Sequence, residues 1–219
     1  MVKNFVITLA RGFGSGGKQI GLLLSKAFGI PCYESQILSM ASEYSGISKE
    51  KFAMVDEKLQ GSWLIKNLKD APNIDHIVTP SDKKFVSDDN LFSIQTKVIR
   101  ELAATESCII IGKCANFILR DLPNVLSVYV EAPRAYCLKR IIEKMGVTEK
   151  EAHALISKTD KYRADYFKYY TGGRIWTDPV LYDITLNTDR LGLDTCVSLI
   201  QELVRIKFAL PSDALPNTP

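Results

Sequence analysis

Residues 5–20 read FVITLARGFGSGGKQI, an apolar strand pattern that runs into a glycine-rich turn, a lysine and then a helical pattern. That order is a physical recipe for holding phosphate. The strand delivers the chain to the edge of a sheet, and the glycines let backbone N–H groups curl inward. The helix that follows points the positive end of its dipole at the anion.

The spacing Gly12-x-x-x-x-Gly17-Lys18 fits the P-loop pattern up to its last position, where Gln19 replaces the usual Ser or Thr. The same residues also satisfy G-x-G-x-x-G, the dinucleotide fingerprint, and Glu34 falls about twenty residues on, where a ribose-binding acid belongs. Two details favour the first reading. A lysine directly after the last glycine is what a P-loop needs to reach β- and γ-phosphates, and a dinucleotide turn has no use for it. The segment around Pro31 is also a poor core strand, because proline cannot donate to a sheet ladder.

A chain of 219 residues can bury one sizeable core, alone or with a small insertion. Its 46% hydrophobic and 24% charged content is ordinary for a globular protein. A net charge of +3 is too small to argue for a nucleic-acid or membrane surface. Cys32, Cys108, Cys114, Cys137 and Cys196 are widely spaced and lack a C-x-x-C pair, so they read as free thiols, most of them buried. With no signal-peptide pattern and no apolar run of membrane-spanning length, the expected setting is reducing and cytoplasmic.

Outward from the first strand, apolar runs alternate with helix-period segments, the pattern of an α/β protein with a parallel sheet. Candidate strands are 5–10, 108–112, 126–131 and 182–187, with a weaker one near 31–33. Helices are expected at about 18–28, 35–45, 90–105, 113–120, 133–145, 148–168 and 192–208. The run Ser107–Gly112 is continuously apolar and suits a strand covered on both faces. From about 61 to 89 the chain is polar, with Pro72, Pro80 and no strong period, and reads as an inserted flap. The proline- and serine-bearing tail 211–219 is expected to fray.

With these segments placed, the sequence resembles the cytidylate kinase-like family, a branch of the P-loop nucleoside monophosphate kinases. The resemblance is carried in order by residues 7–18, Gly29–Glu34, Ile109–Ala115, Asp160–Tyr166, Tyr169–Gly172 and Tyr182–Thr188. It implies a three-layer P-loop NTPase fold with a parallel five-stranded sheet, in a single kinase domain over 1–210 that ends in the flexible tail 211–219. It also implies a flap at about 34–90 that grips the acceptor and a lid at about 145–175 that closes over the donor, keeping water from the γ-phosphate.

The activity implied is ATP- and Mg2+-dependent phosphoryl transfer to a nucleoside monophosphate, CMP or dCMP in this family. Its alternatives are a nucleotide-binding regulatory protein or a kinase for another small acceptor. Lys18, Gly12, Gly14, Ser15, Gly16, Gly17, Gln19 and Arg140 are the expected ATP and phosphate ligands. Lys18, Arg163 and Asp160 are the expected catalytic group, Asp160 and Arg163 sharing one helix face three residues apart. A plain helical salt bridge is the alternative for that pair, and a structural ion pair for Arg11. Tyr33, Glu34, Arg100 and Lys113 are the acceptor candidates. Relatives usually carry an arginine at Lys113, so the bidentate fork is lost there. Gln19 is the one candidate metal contact, directly or through water. The tyrosine-rich run 162–170 serves to anchor the lid helix or to stack on a base, and His76 and His153 read as surface histidines.

Overall fold

In the computed structural model the described residues are 4–58 and 87–210. Five parallel strands form one sheet: β1 Val6–Arg11, β2 Cys32–Tyr33, β3 Cys108–Ile111, β4 Val125–Glu131 and β5 Ile184–Asn187, in the order β2-β3-β1-β4-β5. The glycine-bearing strand β1 is therefore central. It pairs with β3 at Ile7↔Ile109 and with β4 at Leu9↔Val128. Continuous apolar runs in β1 and β3 are buried along their length, as a sheet covered on both faces requires.

Nine α-helices supply that cover among the described residues: α1 Gly17–Phe28, α2 Gln36–Ser45, α3 Lys49–Lys58, α4 Asp88–Thr105, α5 Ala115–Ile118, α6 Arg134–Met145, α7 Glu149–Tyr170, α8 Thr188–Leu191 and α9 Leu193–Phe208. Ile7, Leu9, Ile109 and Val128 point to one face and pack with Ile20 and Leu24 of α1 and Ile200 and Val204 of α9. Val6, Ile110 and Tyr129 point to the other and pack with residues of α2, α4 and α7. The three layers follow from the two-residue side-chain period of a strand.

The 22-residue α7 is set by a complete capping box, in which Thr148 and Glu151 satisfy each other's backbone N–H groups. Ala152 and Ile156 in its first half pack against Cys137 and Ile141 of α6. Its second half is anchored in the core. The Tyr170 ring stacks on Phe92 of α4 with centroids 3.7 Å apart, a contact worth about 0.5–1.5 kcal/mol beyond its burial. The tyrosine-rich run thus serves to anchor the helix.

Differences from expectation are local. Helix α3 was not anticipated, because its polar sequence places few apolar residues on one face, Phe52 chief among them. The helix expected over 113–120 is a single turn, since Lys113 and Cys114 take φ of 55° and 56° and delay its start. The last strand begins at Ile184, because the Tyr182 ring stacks on Tyr129 at 5.1 Å. Most of the expected flap segment 61–89, together with His76 and the tail 211–219, lies outside the described residues. His153 is exposed, as expected, with Glu149 at 3.9 Å. The five cysteines are free, four of them buried. No described helix is long and apolar enough to cross a membrane.

Candidate functional site

The loop between β1 and α1 ends at Gly16, whose φ of 90° lies in the left-handed region that favours glycine. As the N-cap of α1 it offers no side chain to the first helical N–H groups. Those donors face the carboxyl edge of the sheet, where an anion can take them. Ser15 is fully buried and builds the loop from inside: its hydroxyl donates to Gly12 O at 2.9 Å, and Thr188 Oγ1 donates to Ser15 O at 2.6 Å.

In front of the loop lies a cleft of about 650 Å³ lined by Gly12, Gly14, Gly16, Gly17, Lys18, Gln19, Glu34, Arg140, Arg11 and Arg163. The structure thus gathers the expected phosphate-binding residues, Ser15 excepted, around one cavity. Lys18 Nζ lies 2.6 Å from Glu34 Oε2, and Arg11 Nη2 donates to Glu34 Oε1 at 2.8 Å. Burial alone would raise the Glu34 carboxyl, but Lys18 and Arg11 outweigh it and hold it below its ordinary range. One carboxylate therefore spans two cations that a polyphosphate would also attract. Gln19 Oε1 accepts from Arg140 Nη2 at 3.0 Å, which fixes the start of α1 to α6.

Helix α7 is fastened to the loop. Asp160 Oδ1 accepts from Phe13 N at 2.8 Å and from Arg163 Nη1 at 3.4 Å, and Arg163 Nη1 donates to Arg11 O at 2.9 Å. Burial raises the Asp160 carboxyl above its usual value, against the opposing pull of Phe13 N–H and Arg163. Burial, and then the neighbouring Arg11, bring the Arg163 guanidinium down to about 10. Two half-buried cations side by side form a natural counterpart for a multiply charged anion. Arg134 leaves the cleft and ties α6 to α7, donating to His153 O at 2.8 Å and Ser157 Oγ at 2.6 Å.

Arg11 and Arg163 also line a smaller chamber of about 50 Å³ behind the loop, together with Lys113, Cys114 and Thr8. Thr8 Oγ1 there is buried without a hydrogen-bond partner. Of the four acceptor candidates, Glu34 and Lys113 thus border these cavities. Tyr33 turns its hydroxyl to Glu106 Oε1 at 2.8 Å, and Arg100 is exposed on α4; neither lines the cleft or the chamber.

Glu131 was not anticipated. It ends β4 beneath the loop, takes hydrogen bonds from the Tyr129 hydroxyl and, at 3.0 Å, from Ala132 N, and lies so close to Gly12 that no side chain fits between. Its place at the carboxyl end of a central strand was the available signal. Among the described residues no group of three or more His, Cys, Asp or Glu could hold a metal.

An uncharacterized protein from Eubacterium ventriosum ATCC 27560 superposes with a TM-score of 0.66 at 25% identity, covering 92% of this chain and 98% of that one. A shikimate kinase from Bacteroides thetaiotaomicron aligns at 14% identity and a TM-score of 0.48, over 92% of this chain and 98% of its own. A gluconokinase from Sinorhizobium meliloti 1021 gives 10% identity and a TM-score of 0.46, over 93% and 95%. No curated protein matches. The profile of the cytidylate kinase-like family matches residues 6–190, and the chain belongs to that family.

Proposed function

We propose that this protein transfers the γ-phosphoryl group of ATP to a nucleoside monophosphate, with CMP or dCMP as acceptor. The observation that carries the reading is the convergence of Lys18, Arg140, Arg163 and the uncapped start of α1 on one cleft at the carboxyl edge of the sheet. Phosphoryl transfer asks a protein mainly for positioning and for positive charge around the moving group.

In this reading the α1 N–H groups and Lys18 hold the β- and γ-phosphates, and Arg140 meets the donor from α6. An acceptor phosphate oxygen attacks the γ-phosphorus, the bond to the β–γ bridging oxygen breaks, and ADP and the nucleoside diphosphate leave. Arg163 lies between cleft and chamber and meets charge that builds up on the γ-phosphoryl oxygens. Glu34 releases Lys18 when the nucleotide arrives. Lys113 borders the chamber and meets the acceptor phosphate as a point charge.

Magnesium is implied by the family, but among the described residues the expected ligands do not form an inner coordination site for it. Gln19 Oε1 is taken by Arg140, Ser15 Oγ donates to Gly12 O, and Glu34 is held by two cations. The same engagement of Gln19 favours a second reading, a nucleotide-binding regulator with little turnover. A coupled ADP-release assay over CMP, dCMP, UMP, AMP and GMP tests the first. No turnover with any of them, despite measurable ATP binding, removes it. Under the second, Gln19→Ser brings no gain in rate.

A further inference from the structure

A third cavity, of about 280 Å³, lies away from the glycine loop, between the turn after β3, the start of β5 and the end of α9. Phe117 forms part of its wall, and two guanidinium groups lie against that ring, Arg120 at 4.2 Å and Arg174 at 5.7 Å from the centroid. Their charge is poorly neutralised. Arg120 has Asp121 at 3.5 Å, but that carboxylate's side chain is 82% exposed and hydrated. Among the described residues Arg174 has no carboxylate within ion-pair distance.

The acid that lines this cavity is already committed. Asp183 pairs with Lys207 at 2.7 Å and accepts from Ser127 N at 2.7 Å. Lys207 and Asp183 cancel, so the cavity keeps net positive charge from the two arginines. Apolar side chains of Leu122 and Leu181 complete the lining. A concave apolar wall with a few convergent polar groups is the usual form of a small-molecule site. Guanidinium groups select phosphate or carboxylate by their planar donor geometry, and Arg120 keeps donors free beyond the Nη1 bond to Phe117 O at 2.8 Å.

We infer that this cavity is a second ligand site, for a small organic phosphate whose anionic group meets Arg120 and Arg174 and whose apolar body lies on Leu122 and Leu181. The nucleotide cleft needs none of these residues. The two regions nevertheless touch: Asn116 and Phe167 line both this cavity and the chamber that holds Arg11, Lys113 and Arg163. Asn116 is 8% exposed and hydrogen-bonded to Tyr182, so it forms a firm partition. A ligand pressed against that partition sits where it can influence the acceptor end of the proposed kinase site.

Phenyl phosphate is the probe, titrated calorimetrically into the full chain. Saturable binding is expected for the wild type and, within about twofold, for Lys18→Ala, which disables the glycine-loop site instead. Arg120→Ala/Arg174→Ala should weaken phenyl phosphate by about tenfold or more and leave ATP binding unchanged. The single exposed change Arg174→Ala serves as a second variant should the double one fold poorly, with a weakening of about threefold or more expected. Absence of saturation at about 10 mM probe, binding that survives the arginine changes, or binding lost in Lys18→Ala alone would each overturn the inference. The Lys18→Ala arm separates its failure from failure of the kinase reading.

Discussion

Replacing Arg163 by alanine tests the coupling between α7 and the glycine loop. The change removes a charged donor from Arg11 O at 2.9 Å and a contact with the Phe13 ring, whose centroid lies 5.6 Å away. A hydrogen bond from a charged group contributes about 1.5–3 kcal/mol, and the ring contact adds about 0.5–1 kcal/mol. Against these stand the burial of a side chain only 18% exposed and the repulsion from Arg11. The balance is a loss of about 1–2 kcal/mol, which for a chain of this size lowers Tm by about 2–8 °C. Loss of an arginine that neutralises transition-state charge costs about 10³-fold or more in kcat. Calorimetric unfolding and steady-state ADP release at saturating ATP and CMP read the two effects separately. Arg163→Lys should recover part of the Tm loss but little of the rate, since an ammonium lacks the planar fork. An unchanged Tm would refute the clasp. A kcat within about threefold of the wild type would refute a transition-state role, whatever happened to stability.

Lys18→Ala should abolish ATP binding by calorimetry while leaving Tm nearly unchanged, because the Lys18 side chain is 61% exposed and contributes little to the folded state. Gly12→Ala would drive a Cβ into the Glu131 carboxylate, whose Oε1 accepts from Ala132 N and whose Oε2 accepts from the Tyr129 hydroxyl. Overpacking of this kind costs about 1–3 kcal/mol, and thermal unfolding should register it, with partial relief in Gly12→Ala/Glu131→Ala. For pH, the sign differs between two acids. The depressed Glu34 contributes stability that is present above its unfolded value and fades as pH falls through the lower folded value, whereas the raised Asp160 opposes stability above its folded value and is relieved as pH falls. As Asp160 takes up its proton on acidification, the acceptance from Phe13 N and the ion pair with Arg163 weaken. ATP affinity should decline as pH falls through the raised Asp160 value, and Asp160→Asn should flatten that decline; a parallel pH profile in the variant would count against the clasp.

The sheet was legible because strands covered on both faces must be mainly apolar, and β1 and β3 are. The glycine loop was legible because few sequences place Gly12, Gly17 and Lys18 between a strand and a helix. Helix α3 was not, since its helicity depends on Phe52 finding the core and not on a strong local period. Nor was the engagement of Glu34. Lys18 lies near it in sequence, but the ion pair exists only because β2 and β1 reach the same edge of the sheet through β3. The cavity at Phe117 was invisible for a similar reason. Arg120 and Arg174 are 54 positions apart, and only the return of α7 across the sheet brings the second arginine to the first.

The placement of α7 also constrains how a closing motion could work. A lid that swings as one rigid piece would have to extract Tyr166, Phe167 and Tyr170, which are at most 5% exposed and packed against Phe92 and Phe117. Burying such rings contributes about 1.5–3 kcal/mol each, all of which a rigid swing would forfeit. The segment that can move at low cost is the first half, where Arg134 bonds to His153 O and Ser157 Oγ at an exposed contact and the packing is confined to Ala152 and Ile156 on α6. Asp160 and Arg163 stand at the junction between the two halves. Nucleotide binding that draws α6 inward through Arg140 would then pivot the helix about these two residues and leave its aromatic end fixed in the core.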